Sequence, residues 1–231
     1  MTAAKATKPL AQVAKPLASA LALQAGILLV GALLHRNAMG ASAVQAAAAE
    51  FGAGQFGVAW SDPLQKAPTS KAIVLRALRG AGYALGLAVL LVGSALLTRA
   101  ASFHGAAHVG VLPLVNGLIV SVLLAVRDEL ILRGMVLRAL DGAVPRAVEL
   151  VVCGLVAAAA VWGSKEGAAP ALEIVAAGVF GAGFAVLWKM DRGAWMAWGA
   201  NATFHYVMTT LTHGAVFDVR VAQGSWAQAV L

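Results

Sequence analysis

Charged side chains are scarce in this sequence: 17 lysines and arginines and 10 aspartates and glutamates make up 12% of its 231 residues. A soluble domain usually carries about 25% charged residues. Hydrophobic residues instead account for 61% of the chain. Because so little polar surface cannot coat a water-soluble globule, the composition excludes an ordinary soluble domain and predicts an integral membrane protein. A chain of this length has room for about six to eight membrane spans.

Cysteine occurs once, at Cys153, so the chain cannot form an intrachain disulfide. The net charge of +7 would suggest a nucleic-acid partner in a soluble protein. Here, however, the basic residues lie mostly at the ends of apolar segments, where they set topology and contact anionic headgroups. We therefore predict the lipid bilayer, and no nucleic acid, as a partner.

The sequence also lacks any recognisable strand pattern. Apolar segments separated by charged or Gly/Pro-rich clusters predict an all-α fold, a polytopic transmembrane bundle of about six to eight helices. We treat 1–231 as one membrane domain with a cytoplasmic N-terminal segment, 1–16, and an interfacial tail, 213–231. The segment 41–60 is too polar to be assigned as a span. The predicted spans are 17–34, 80–98, 113–140, 146–162, 171–188 and 193–212.

Two local patterns add expectations to this outline. The pair Gly82-x-x-x-Gly86 predicts a small-residue face on which another helix packs closely. His104 and His108 have the spacing of two metal ligands on a helix. No carboxylate accompanies them, and the nearby Gly105 indicates a turn. We therefore predict interfacial histidines, no metal and no other cofactor.

The densest charge within an apolar segment lies near the end of the 113–140 helix, on the side that the positive-inside rule places in the cytoplasm. A charge in hydrocarbon costs about 2.5–3.5 kcal/mol on insertion scales. Glu129 and Arg133 are four residues apart, so they share a helix face and can pair. Asp128 lies about 100° around the helix. The residues alone leave two interpretations open, a functional site or basic anchors at a helix end.

The run Asp128-Glu129-x-x-x-Arg133-Gly134 resembles the Glu-Glu-x-x-x-Arg-Gly signature of the CPBP family. These are glutamic-type intramembrane proteases that include the CAAX prenyl endopeptidases. The resemblance covers a protease-like core at roughly 113–212. It implies that Glu129 is the catalytic glutamate, that Arg133 orients it, and that Asp128 stands for the first glutamate of the signature. It implies no metal.

Two further motifs of the family are altered in this chain. The second is normally Phe-x-x-x-His, and here Trp162 is followed by Glu166 at the histidine position. The third is normally His-x-x-x-Asn, and here the two residues stand in exchanged order, as Asn201 and His205. Asn201 and His205 are four residues apart and so lie on one helix face. The amide and the imidazole of the family motif are therefore both present on that face, in exchanged order. We include Glu166, Asn201 and His205 with Asp128, Glu129 and Arg133 as candidate catalytic residues.

The resemblance implies a hydrolase: an intramembrane endopeptidase in which Glu129 activates water to cleave membrane-associated protein or peptide substrates. Maturation or sorting of exported proteins is the role we favour. The high alanine content suggests a bacterial protein of the inner, cytoplasmic membrane. Two alternatives remain open, a catalytically inactive relative that serves as a membrane scaffold or binding and immunity protein, and a small transporter. The sequence does not indicate the oligomeric state.

Overall fold

The computed structural model describes residues 10–34, 37–62, 67–106, 110–164, 171–212, 216–223 and 225–230. Within these ranges the chain is mostly helical, which confirms the predicted all-α class. The α-helices are α1 Leu10–Leu33, α2 Ala38–Gln55, α3 Ser70–Leu97, α4 Val111–Asp128, α5 Val136–Leu140, α6 Arg146–Ser164, α7 Ala171–Asp191 and α8 Trp195–His205. Two π-helical segments, Glu129–Met135 and Tyr206–Leu211, continue α4 and α8, and Trp226–Ala229 forms a 3₁₀ turn.

Three helices in the described part of the chain are long and apolar enough to cross a membrane: Ser70–Leu97, Val111–Leu140 and Ala171–Asp191. The second of these joins α4, the first π segment and α5 into one continuous helix. Their outward faces carry large exposed apolar side chains, such as Leu90 and Leu112. Such a surface matches lipid as the surrounding solvent, and the protein is an integral membrane protein.

The polar segment that resisted assignment forms α2. Asn37 caps its N-terminus, where Oδ1 accepts a hydrogen bond of 2.9 Å from the Gly40 amide. The buried side of α2 carries an i, i+4 row of small residues, Ala41, Ala49 and Ala53, with Gln45 within the row. Because this row has only one large member, α2 can approach α4 and α1 closely.

A small antiparallel sheet, for which the sequence showed no pattern, accompanies the helices. The strands β1, Ala101–Ala106, and β2, Phe217–Val221, pair with Ala101 opposite Val221. The rings of Phe103 and Phe217 lie in a tilted arrangement with their centroids 6.1 Å apart. The two strands lie far apart in the sequence, and each is too short to show a pattern by itself. His104 therefore lies on a strand and not on a helix, and His108 lies outside the described residues.

α8 is held against α3 by glycines that face the partner backbone. A side chain at Gly80 would collide with the Met196 carbonyl, and one at Gly199 would collide with the Ala77 carbonyl. The pair predicted from the sequence is wrong in this respect, because Gly82 and Gly86 have open space at the corresponding position. Gly82 and Gly86 do lie on one face of α3, as their spacing predicts. However, α8 packs on a different face of α3, the one that carries Gly80.

Gly80→Ala is therefore expected to lower the free energy of unfolding by about 1–3 kcal/mol, because α3 and α8 must separate to admit the methyl group. Gly82→Ala is the matched control on the same helix, and it should leave stability unchanged or slightly raised, since alanine favours a helix. Unfolding of the detergent-solubilised proteins by sodium dodecyl sulfate, followed by circular dichroism, measures both. Equal effects of the two substitutions would contradict the packing described here.

The segment before α3 fixes the N-terminal end of α8. Trp60 stacks on Trp195 with ring centroids 4.7 Å apart, and the Trp60 carbonyl accepts a hydrogen bond from the Ala194 amide. One turn later Trp198 donates from Nε1 to the Val122 carbonyl of α4 at 3.4 Å. These contacts turn the face of α8 that carries Trp198, Asn201 and His205 towards α4.

Candidate functional site

The predicted acidic motif lies where the Val111–Leu140 helix widens into a π segment. All seven residues of Glu129–Met135 are buried, including the charged Glu129 and Arg133. A π segment has more residues per turn than an α-helix, and such segments occur frequently at functional sites. Gly134 allows close packing there, because an added Cβ would lie 2.7 Å from Val58 Cγ1 and 3.0 Å from Trp188 Cη2. The site is therefore set inside the bundle.

Glu129 is the centre of the polar cluster and is 0% exposed. Its Oε1 accepts hydrogen bonds from Arg133 Nη1 at 2.8 Å and from Asn201 Nδ2 at 3.0 Å. Its Oε2 is buried and accepts no hydrogen bond from the described residues. Arg133 is also covered by the ring of Phe184, whose centroid lies 5.0 Å from Cζ. One carboxylate oxygen is thus fixed by two donors, while the other has no donor in the described part of the chain.

Asp128 forms a second pair with α8. Its Oδ2 lies 3.4 Å from His205 Nε2, while its Oδ1 accepts from Arg127 Nε at 2.7 Å. The side chain of His205 is 30% exposed, and that of Asp128 only 9%. The histidine is therefore the partly accessible member of the cluster. Asn201 and His205 of α8 each meet one acid of the continuous Val111–Leu140 helix, as their common helix face predicts.

Sequence reasoning missed two residues that contact this cluster. Arg127, interpreted only as a basic residue of the helix end, donates from Nη1 to Gln45 Oε1 at 3.0 Å. Gln45 in turn donates from Nε2 to the Ile27 carbonyl of α1 at 3.2 Å. A usable signal existed, because Gln45 interrupts a row of alanines at i, i+4 spacing, where a polar residue needs a buried partner.

The remaining residues singled out from the sequence either lie outside the described chain or are exposed. Glu166 lies outside the described residues. Trp162, the aromatic residue of the altered second motif, is exposed in the last turn of α6. Arg138, on the same continuous helix as Glu129, is also exposed. The structure therefore brings together Asp128, Glu129, Arg133, Asn201 and His205.

Other charges in the described chain form separate structural pairs. The buried Glu149 of α6 binds Lys189 of α7 with Oε2 2.7 Å from Nζ, and Arg76 of α3 binds Asp191 at 3.4 Å. No group of three or more His, Cys, Asp or Glu side chains that could hold a metal ion occurs among the residues described. The polar cluster can nevertheless hold a proton, orient an amide and present a histidine to a bound molecule.

A cleft of about 540 Å³ opens beyond the buried π segment. Gly134, Arg138 and Trp188 line it together with parts of the 57–62 and 188–193 segments. Neither Glu129 nor Asn201 lines this cleft. The polar cluster is therefore a separate, buried feature, and His205 is its most exposed member.

A buried carboxylate held by an arginine and an amide among lipid-exposed helices defines a membrane protein with a polar site inside its helix bundle. The segment that forms this site, residues 110–207, matches the family model of type II CAAX prenyl endopeptidases, Rce1-like. The match includes α4, the buried π segment and α8, and it confirms the resemblance that the acidic motif predicted. That family is one of proteases. Neither a curated protein nor a solved structure gave a significant match to the chain.

Proposed function

We propose that this protein is a glutamic-type intramembrane endopeptidase that hydrolyses membrane-associated protein or peptide substrates. The observation that carries the proposal is the asymmetry of Glu129: Oε1 accepts two hydrogen bonds, from Arg133 and Asn201, and Oε2 accepts none from the described residues. A carboxylate that acts as a general base needs an oxygen that can accept a proton from water within hydrogen-bond reach. The match of 110–207 to an endopeptidase family supports the same reaction.

The proposed reaction is addition of water to a peptide carbonyl. Glu129 Oε2 takes a proton from water while the water oxygen forms a bond to the carbonyl carbon. The proton then passes to the amide nitrogen as the C–N bond breaks, which yields a carboxylic acid and an amine. Arg133 and Asn201 hold the carboxylate in one orientation throughout. Fixed groups of this kind lower the barrier because they need no reorganisation during the reaction.

His205 is proposed to face the substrate. It is the most exposed member of the cluster, and Asp128 lies against its Nε2. An imidazolium whose Nε2 faces a carboxylate can donate from Nδ1 to the developing oxyanion or to the leaving amine. Glu166 remains a candidate from the sequence, at the position where the family has a histidine.

The family match and the location of the site inside a membrane protein support the proposed substrate class. Rce1-like proteins are named for CAAX prenyl endopeptidase activity. For this chain we propose cleavage of a membrane-anchored protein or peptide near its membrane-proximal end, in the maturation or sorting of exported proteins at a bacterial inner membrane. A prenylated C-terminus is the second substrate class to test.

The test is a comparison of protein termini by mass spectrometry in membranes from cells that lack the gene, express the wild type, or express Glu129→Ala. We expect a set of termini that only the wild-type protein produces, and these would identify the substrates. Identical termini in all three strains, with both proteins present and folded, would contradict the proposal. That result would favour the inactive scaffold or binding protein, an alternative that the altered second and third motifs also support.

A further inference from the structure

A polar chain connects the site to the N-terminal helices, which lie outside the segment that matches the protease family. It runs from the Ile27 carbonyl of α1 through Gln45 of α2 to Arg127, Asp128 and then His205. We infer that Gln45 is a positioning residue: with Arg127 it fixes the orientation of Asp128 and thereby that of His205. The inference rests on the proposed function.

The chemistry of its two neighbours allows only one orientation of the Gln45 amide. The Ile27 carbonyl can only accept a hydrogen bond, and the Arg127 guanidinium can only donate. The Gln45 Nε2 must therefore face Ile27, at 3.2 Å, and its Oε1 must face Arg127, at 3.0 Å. Gln45 is only 6% exposed, so water does not readily replace either partner. The amide nitrogen is thus hydrogen-bonded to α1, and the amide oxygen to α4.

The planar guanidinium transmits this orientation. Gln45 holds Arg127 Nη1, while Nε and Nη2 of the same arginine lie 2.7 and 2.6 Å from Asp128 Oδ1. Because the guanidinium is rigid and planar, fixing one nitrogen fixes the direction of the others. Asp128 is therefore held through Oδ1, which leaves Oδ2 to face His205.

The last step is sensitive to small displacements. Asp128 Oδ2 lies 3.4 Å from His205 Nε2, at the long limit of a hydrogen bond. A shift of a few tenths of an ångström decides whether this bond forms. The support supplied by Gln45 to Arg127 and Asp128 therefore bears on the orientation of the imidazole.

A second buried glutamine provides the matched control. Gln24 of α1 is also 6% exposed, and its Oε1 accepts no hydrogen bond from the residues described. Gln24→Met and Gln45→Met make the same change at equal burial, but only the second removes a support of Arg127. Methionine has about the length of glutamine and, like glutamine, no branch at Cβ or Cγ, but it carries no amide donor or acceptor.

The experiment measures how fast the termini specific to the wild type appear in cells after induction, normalised to the amount of folded protein in the membrane. We expect Gln45→Met to slow their appearance about 10-fold, since loss of a supporting residue misplaces the reacting group. Gln24→Met should change the rate by less than about 2-fold. Unfolding in detergent, measured for both variants, accounts for any difference in stability.

A double substitution separates positioning from a general structural role. If Gln45 acts through His205, Gln45→Met should add little to the effect of His205→Asn, because coupled residues are not additive. Equal rates for Gln45→Met and Gln24→Met would overturn the inference, and so would a Gln45→Met effect that is unchanged in the His205→Asn protein. If the wild type and Glu129→Ala proteins give the same termini, the proposed function itself has failed, which is a different result.

Discussion

Replacing Glu129 with glutamine is expected to slow substrate cleavage about 10²–10⁴-fold while leaving the fold intact. Glutamine keeps the shape of the side chain, and its amide oxygen can still accept from Arg133 Nη1 and Asn201 Nδ2. It cannot take a proton from water, because the second carboxylate oxygen is replaced by an amide nitrogen. The measurement is the initial rate of the purified protein in lipid nanodiscs on an internally quenched peptide that spans a cleavage site found in the termini comparison.

Glu149→Gln serves as the control for this prediction. Glu149 is also a buried acid with a basic partner, Lys189, but it lies on α6 outside the polar cluster. Its substitution should reduce the rate by less than about 3-fold, provided that the protein remains folded. Comparable losses for Glu129→Gln and Glu149→Gln would show that removal of any buried acid impairs the protein, and would argue against Glu129 as the base.

Arg133→Met is expected to lower the free energy of unfolding by about 3–5 kcal/mol. Arg133 is 4% exposed, and it pairs with Glu129, which is fully buried. Without the guanidinium, Glu129 keeps a buried charge with Asn201 as its remaining hydrogen-bond donor in the described chain. The contact with the ring of Phe184 is lost as well. Unfolding by sodium dodecyl sulfate, followed by circular dichroism, measures the loss.

The double variant Glu129→Gln/Arg133→Met tests the cause of this destabilisation. Removing both charges leaves no uncompensated ion, so we expect the double variant to be more stable than Arg133→Met alone. Arg138→Met is the control on the same helix, and its effect should stay within about 0.5 kcal/mol because Arg138 is exposed. A double variant that is less stable than Arg133→Met would indicate that packing, and not charge compensation, is the main role of Arg133.

Much of the site could be predicted because its residues interact within one helix or along one helix face. Glu129 and Arg133 pair at i, i+4 spacing, and Asn201 and His205 share a face of α8 that meets both acids. These relations depend on the helical period, which the sequence displays directly. The role of Gln45 could not be predicted in this way, because its partners Ile27 and Arg127 belong to two other helices.

The packing face of α3 and the small sheet were missed for the same reason, because each depends on a partner that is distant in the sequence. Gly82 and Gly86 show the spacing of a packing motif, yet Gly80 is the α3 residue that contacts α8. β1 and β2 each need the other to form a sheet, and they are separated by most of the helical bundle in the sequence. In both cases the local pattern was insufficient because the partner was not a sequence neighbour.

The amino-acid sequence by itself determined the membrane environment, the helical class and the acidic motif. Each of these depends on composition or on spacing within one segment, and the hydrophobic effect and backbone hydrogen bonding act on such segments locally. Only the tertiary structure decided which oxygen of Glu129 is held, which helix supports Asp128, and which glycine allows α8 to approach. Those features depend on the packing of distant segments, because a helix face acquires a partner only when another element lies against it.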